Sequence, residues 1–319
     1  MENQQKIQVG GQAVIEGVMM RSPDRVSVAV RRPDGKIVLK SDPYISISKR
    51  YKFWGLPVLR GAVILIESMV LGIKALTFSG DVAITEEEKK QTTKQPPKKS
   101  RQGLSNLWIV GTVTFSLLAG LGLFFYLPLI LTDLVGVQTG FWFNVVDGIF
   151  RVAIFLAYLG LIAQIKDIHR IFQYHGAEHQ TIFAYEDGEQ LSIENTAAYT
   201  PHHPRCGTSF IITVLLVSIL VFMLLGKPDS IVERLVRLGF VPLIGGLSYE
   251  AIKLSDRNKN NLLVRLAIKP GLWLQRITAL KPDESMLEVA IVALQGSTGV
   301  DFRDDERVVL ASELSDTKN

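Results

Sequence analysis

The sequence predicts a mainly α, polytopic helical membrane protein with a small cytoplasmic α+β portion. Three observations carry this expectation. No residue from Gln102 to Thr132 is charged, and none from Gly207 to Gly226. Runs of that length suit a helix crossing a hydrocarbon core about 30 Å thick. Between the apolar stretches lies a polar window, His169 to Cys206, that holds all five histidines and the one cysteine of the chain. The amino-terminal stretch, by contrast, alternates valines with polar residues, a pattern of β-structure.

Residues 1–85 open with that β-pattern. The runs R-V-S-V-A-V-R-R (25–32) and K-I-V-L-K-S (36–41) flank Pro33-Asp34-Gly35, which reads as a β-hairpin. Before it, G-G-Q-A-V-I-E-G-V-M-M-R (10–21) places one acid, Glu16, among apolar residues. Its glycines suggest close backbone approach, and Glu16 reads as a buried structural acid or as a contributor to a site elsewhere. Residues 56–78 read as a helix with Arg60, Glu67 and Lys74 on one face. Such a helix either lies in a membrane interface or packs as an ordinary amphipathic helix. Residues 86–105 read as a disordered basic linker.

The membrane region, 106–252, is expected to hold four spans, at about 106–131, 148–168, 207–226 and 231–252. Arg151 then lies near a span end, where its side chain can snorkel. The loop between the first two spans carries Asp133 and Asp147 and no Lys or Arg, whereas basic residues precede the first span. The positive-inside rule therefore places both termini and the loop 169–206 on the cytoplasmic side of the membrane. Lys166, Arg170 and Arg205 agree; Lys227, Arg234 and Arg237 on the outer side weaken the fourth span. The tail, 253–319, is expected to form helices at about 261–280 and 284–294 and to fray at its end.

Composition narrows the partners. The start shows no apolar stretch behind a basic tip, so no secretory signal is expected. One cysteine excludes an intramolecular disulfide framework. The net charge of +4 reflects local basic clusters, without the aromatic–basic interleaving or finger spacing of a nucleic-acid surface. The expected partners are the lipid bilayer and an unidentified substrate or protein, with no nucleic acid.

The polar window carries the chemistry. The second span is expected to continue as a helix through K-D-I-H-R-I-F-Q-Y-H-G-A-E-H, which puts Ile168, Phe172, His175 and His179 on one stripe. Asp187-Gly188 then reads as a hairpin turn that returns the chain, delivering Glu194-Asn195 and H-H-P-R-C-G (202–207) to the two histidines. His175, His179, His203 and Cys206 make a nitrogen–sulfur ligand set for a divalent metal, with zinc preferred. His202 competes with His203, and Cys206 is either a ligand or a thiol beside the site. His169 falls away from the stripe and reads as a solvent or interface residue. H-G-A-E-H also has the form H-x-x-E-H of the inverted zinc peptidases, in which the glutamate takes a proton from water. Glu178 is thereby the candidate base, and Arg205 a candidate to neutralise developing charge. Glu186 and Glu194 are nearby acids able to ligate or orient ligands.

The segments G-G-Q-A-V-I-E-G-V-M-M-R, Y-H-G-A-E-H-Q-T-I, Y-E-D-G, E-N and H-P-R-C-G-T-S-F together resemble the YqhQ-like family of bacterial membrane proteins, a domain of unknown function. The resemblance runs over nearly the whole chain. Members are described as predicted metal-dependent enzymes. The resemblance therefore implies a metal role for His175, His179, His203 and Cys206 and an acid role for Glu178, but no reaction. This leaves two functional classes. One is a membrane hydrolase with a catalytic metal, acting on an acyl or phosphoryl centre. The other is a non-enzymatic membrane scaffold or assembly factor whose metal only holds the loop.

Overall fold

The computed structural model describes residues 7–83, 102–258 and 261–316. In chain order these form strands β1 (Gly10–Val14), β2 (Gly17–Arg21), β3 (Arg25–Arg31) and β4 (Ile37–Pro43), then helix α1 (Leu59–Ala83). Helices α2 (Gln102–Leu121) and α3 (Leu127–Val135) are joined by a π turn at Gly122–Tyr126. Next come α4 (Gly140–Ile162), α5 (Lys166–Asp187), α6 (Ile193–Ala197), α7 (Gly207–Leu225), α8 (Ile231–Gly239) and α9 (Val241–Arg257). The tail holds α10 (Leu262–Thr278), α11 (Glu284–Thr298), β5 (Val308–Leu310) and α12 (Ala311–Asp316). The chain is mainly helical with a small sheet. Among the described residues, five segments are long and apolar enough to cross a membrane: Leu59–Ala83, Thr114–Val135, Gly140–Ile162, Gly207–Leu225 and Ile231–Ser255.

Two compact units result, one of residues 1–85, 162–210 and 245–319, the other of 86–161 and 211–244. In the first unit, β1 to β4 form an antiparallel meander, and β5 adds in parallel to the β4 edge. The expected hairpin around Pro33-Asp34-Gly35 is present as β3–β4. Strand side chains alternate between faces, so each face buries its own set. Val18, Met20, Ala29, Ile37 and Leu39 meet α5 and α11 through Tyr174, Ala177, Met286 and Ala290. Val14, Met19, Val28 and Val30 meet α1 through Ala75, with Leu71, Phe78 and Val82 beside it. Helices thus cover both faces of the sheet.

Several expectations change here. Within the tail, the apolar Val308–Leu310 between the two polar runs pairs with Ile37–Leu39, and residues 317–319 of the expected frayed end lie outside the described residues. Asp187-Gly188 makes no hairpin: Gly188, at φ 82°, caps α5 with its N–H on the Ala184 and Tyr185 carbonyls. A glycine just past a helix end adopts the left-handed region at low cost, and here that use wins over the hairpin turn. The helix expected to run unbroken from the second span also stops at Ile162, and extended backbone at Ile165 starts α5 afresh. Most of the proposed linker lies outside the described residues, and Gln102–Ser105 belongs to α2.

In the second unit, Phe125, Leu129, Phe143, Phe222 and Ile244 form the core. The helix expected from residue 148 begins at Gly140, so Asp147 and Arg151 lie inside it rather than near an end. Arg151 does not snorkel. It is buried, donates to Asp147 at 2.8 Å one helical turn away, and lies against the Phe125 and Phe222 rings. Opposite charges one turn apart neutralise each other, which lets an apolar helix carry both. Arg237 is buried likewise, donating to Asn144 Oδ1 at 2.8 Å and to the Gly226 carbonyl.

Close approach decides one position near the histidines. A Cβ on Gly176 would lie 1.9 Å from the Leu280 carbonyl oxygen, a backbone atom with little room to give. Gly176→Ala is expected to destabilise the first unit by at least the about 1–3 kcal/mol typical of overpacking. Thermal unfolding of the purified chain in detergent measures it. Gly120→Ala, where a Cβ meets open space within α2, should not lower the midpoint.

Candidate metal centre

Helix α5 exists because H-G-A-E-H-Q-T-I-F-A-Y repeats its apolar and small residues at helical spacing, and Tyr174, Ala177 and Ile182 anchor it to the sheet and α11. That anchoring turns His175 and His179 to one side, with ring centroids 4.3 Å apart. Cys206 directly precedes α7 and comes to the same place. One ligand atom from each of His175, His179 and Cys206 lies within 4.8 Å of the others.

The hydrogen bonds set the ring tautomers. His175 Nδ1 is 2.6 Å from the Thr278 carbonyl oxygen, and His179 Nδ1 is 2.5 Å from that of Pro201. A carbonyl can only accept, so each Nδ1 carries the hydrogen and each Nε2 presents a lone pair. His175 Nε2 lies 3.1 Å from Cys206 Sγ, and the His179 ring also meets that sulfur. The Thr208 backbone N–H donates to Sγ at 3.4 Å. Backbone carbonyls that orient imidazoles toward a shared point are the usual support of zinc-binding histidines. With Zn–N near about 2.1 Å and Zn–S near about 2.3 Å, a tetrahedral ion fits donors spaced this way. The donor set therefore suits a zinc-like ion with three protein ligands.

His203 stands outside that group. Its Nδ1 accepts the Arg205 backbone N–H at 3.2 Å, and its Nε2 lies 3.5 Å from a Glu186 carboxylate oxygen. Its ring sits 5.8 Å from that of His179. Arg205 is ion-paired with the same Glu186, which offsets its charge. His169 is exposed on α5, and Glu194 is exposed in the first turn of α6. Glu16 does not reach the cluster. It occupies the β1–β2 turn at φ 49° and pairs with Arg170 at 2.5 Å.

Glu178 is buried beside the cluster. Burial raises its pKa, against the opposing charges of His175 and His203 and the Gly11 N–H that donates to its carboxylate. Burial likewise lowers the pKa of His179, which favours the neutral imidazole a metal requires, although Cys206 works in the other direction. Gly11 is the residue that sequence reading undervalued. A Cβ there would lie 2.8 Å from Glu178 Cγ, so only glycine lets β1 lie against the acid. Gly10-Gly11 was the available signal. Gln275 gave none: from α10 it accepts the His203 N–H at 2.8 Å and donates to the His203 carbonyl at 2.9 Å.

The fold and the cluster define a mainly helical protein with several membrane-length apolar helices and a His-His-Cys constellation on its α+β unit. The chain belongs to the family described as protein of unknown function (DUF1385), which matches residues 56–299. It is 32% identical over 294 residues to the Uncharacterized protein YqhQ of Bacillus subtilis (strain 168), covering 88% of this chain and 89% of that one. This agrees with the family resemblance seen in the motifs. No solved structure matches the chain.

The ligand geometry makes a specific expectation. His175→Ala, His179→Ala and Cys206→Ala should each lose most of the metal found by elemental analysis of the purified protein. His169→Ala and His203→Ala should keep it. Loss in His203→Ala equal to that in His175→Ala, with folding intact, would restore a four-ligand centre.

Proposed function

We propose that the chain is a multi-pass protein of the bacterial inner membrane and a metal-dependent hydrolase, with its site in the cytoplasm at the membrane face. The observation that carries the enzymatic reading is the convergence, among the described residues, of ligand atoms from His175, His179 and Cys206 beside a buried acid. Three protein ligands leave a zinc-like ion an open position, as catalytic sites require.

When bound, such an ion would supply Lewis-acid polarisation of an acyl or phosphoryl oxygen and acidify an attacking water. His175, His179 and Cys206 would hold it, with the Thr278 and Pro201 carbonyls keeping both imidazoles oriented. Glu178 would take the proton as the water oxygen bonds to the acyl or phosphoryl centre. It would return that proton to the leaving group as the scissile bond breaks. Burial raises its pKa, the direction that suits a group that both takes up and returns a proton. His203, held by Glu186 and Gln275, would border the site rather than bind the ion.

Membrane placement is supported by the long apolar helices and by the basic residues before the first of the expected spans. The amino-terminal strands, the histidine window and the tail belong to one unit, which favours placing all three on one side. The second reading, a scaffold with a structural zinc, draws support from burial. His179 and Cys206 are 2% and 7% exposed, which leaves a substrate little opening.

Glu178→Gln separates the two. As an isostere it should retain metal and folding. In the hydrolase it should fail to complement a strain lacking the protein, the turnover falling by about 10²-fold or more. Full complementation by Glu178→Gln, where His175→Ala fails, would leave the scaffold reading standing.

A further inference from the structure

Helix α1 has the length and hydropathy of a membrane span, yet its surroundings conflict with a crossing. At 1.5 Å per residue its 25 residues reach about 37 Å. Glu67 accepts the Ser46 hydroxyl at 2.7 Å and the Ile47 N–H at 2.5 Å, with Arg21 3.7 Å away. From there to Val82 one face of the helix lies on the sheet, through Leu71, Ala75 and Phe78. Gly72 closes on the Gln12 side chain, and the Ile15 N–H donates to Ser79. Only the first two turns or so are free of the sheet, about 12 Å, against the about 30 Å of a hydrocarbon core. A crossing would also draw an open sheet edge into lipid, where unpaired backbone groups find no partner.

Chain parity gives a second, independent argument. Strand β4 precedes α1, β5 comes after all five membrane-length helices, and the two strands pair from Ile37–Val308 to Leu39–Leu310. Five crossings would put them on opposite sides of the bilayer. Four would keep them together.

The opposite face of α1 is exposed and mainly apolar, with Lys74 and Thr77 also exposed on it. Ile66, Met69 and Ile73 are 61%, 60% and 59% exposed, with Leu65, Val70 and Leu76 beside them. The residues just before the helix, Lys49 to Trp54, alternate exposed cations with the exposed rings of Tyr51, Phe53 and Trp54. The one acid between residues 45 and 80 is Glu67, which is buried. The start of α1 lies on α9, which belongs to the last membrane-length segment, Ile231–Ser255. There, a Cβ on Gly61 would meet Tyr249 and Gly246, and Arg60 pairs with Glu250.

We propose that α1 is an interfacial helix. It lies in the plane of the membrane surface, with the Ile66–Met69–Ile73 stripe in the acyl boundary and Lys49–Trp54 among anionic headgroups. Exposed apolar side chains beside basic and aromatic residues suit that boundary, while the sheet takes up the other face of α1. The continuity with α9 selects lipid over a protein as the occupant. The proposal rests on the membrane reading of the proposed function and adds that the sheet rides on the bilayer through this helix.

The test uses the full chain in vesicles of phosphatidylethanolamine and phosphatidylglycerol. Nitroxides are placed singly through Ile66→Cys, Ile73→Cys and Leu76→Cys. The unsubstituted chain, with its buried Cys206, sets the background. Leu216→Cys, Leu220→Cys and Leu224→Cys on α7 serve as the spanning reference. Collision with oxygen and with a water-soluble nickel chelate reports depth. The three α1 positions should agree within about 5 Å, one helical turn, while the α7 positions differ by about 1.5 Å per residue. A depth change of about 15 Å from 66 to 76 would mean that α1 crosses and would overturn the proposal. Shielding from both reagents with spin–spin broadening would assign the stripe to a second copy and would overturn it equally. If α7 shows no depth gradient, the membrane reading itself fails and takes the proposal with it. For the unsubstituted chain, photoactivatable phospholipids give the parallel measurement. Headgroup-proximal probes should label Leu65, Ile66, Met69, Val70, Ile73 and Leu76 evenly, and labelling by acyl-end probes that deepens along the helix would refute it.

Discussion

Helix α11 occupies the centre of the α+β unit, and the rest of that unit depends on its burial. Every residue from Met286 to Gly296, apart from Glu288 and Gln295, is buried. Strands β2, β3 and β4 lie on one side of it, and α5 and α6 on another. Contact is close enough that a Cβ on Gly296 would press on Leu39 and Ser27, and the Ser27 hydroxyl donates to the Ala293 carbonyl. Asp283 caps its start by accepting the Met286 N–H at 3.0 Å, and Gly299 ends it at φ 91°. Because α11 joins the strands of the amino-terminal region to the histidine helix, segments far apart in sequence become one body. Hydrophobic burial is non-directional, but a helix buried on most of its sides leaves its neighbours few arrangements.

The candidate metal centre inherits its order from that packing. Tyr174 and Ala177, on the core side of α5, hold the helix so that His175 and His179 face away from α11. Thr278, at the end of α10, and Pro201, before the cysteine loop, then contribute only carbonyl oxygens, yet these choose the nitrogen each imidazole offers. Glu178 lies one turn from Tyr174 and is closed in by Gly11 of β1. A buried carboxyl is costly unless its environment compensates, and here a backbone N–H and two imidazoles do part of that. The site therefore draws on the edge strand, the histidine helix, the cysteine loop and α10 together.

The helical unit shows the same economy with charge. Asp147, Arg151 and Arg237 stand among apolar helices, where isolated ions would be strongly disfavoured. The ion pair within α4 compensates Asp147 and Arg151, Arg237 donates from Nη2 to Asn144 and Gly226 while its buried Nη1 has no hydrogen-bond partner among the described residues, and the faces of Phe125 and Phe222 cover the guanidinium groups. Reading these residues one at a time misplaced the start of α4, because a charge in an apolar run marks an end only when it lacks a partner.

The sequence by itself determined the features that local periodicity sets. Alternating valines around Pro33-Asp34-Gly35 make a hairpin in any context that buries one face, and uncharged runs of membrane length make apolar helices. The crowding of histidines and the cysteine marked the site, and four-residue spacing put His175 and His179 on one stripe. Tertiary structure alone decided the rest. It gave Gly188 to a helix cap instead of a hairpin, made Val308–Leu310 of the tail the edge strand β5, and put His203 with Glu186 rather than with Cys206. It also set Gly11 against Glu178 and laid one face of α1 on the sheet. Each of these depends on which distant backbone or side chain arrives at a given position. Spacing along the chain holds no information about that arrival; only the packing of the whole unit does.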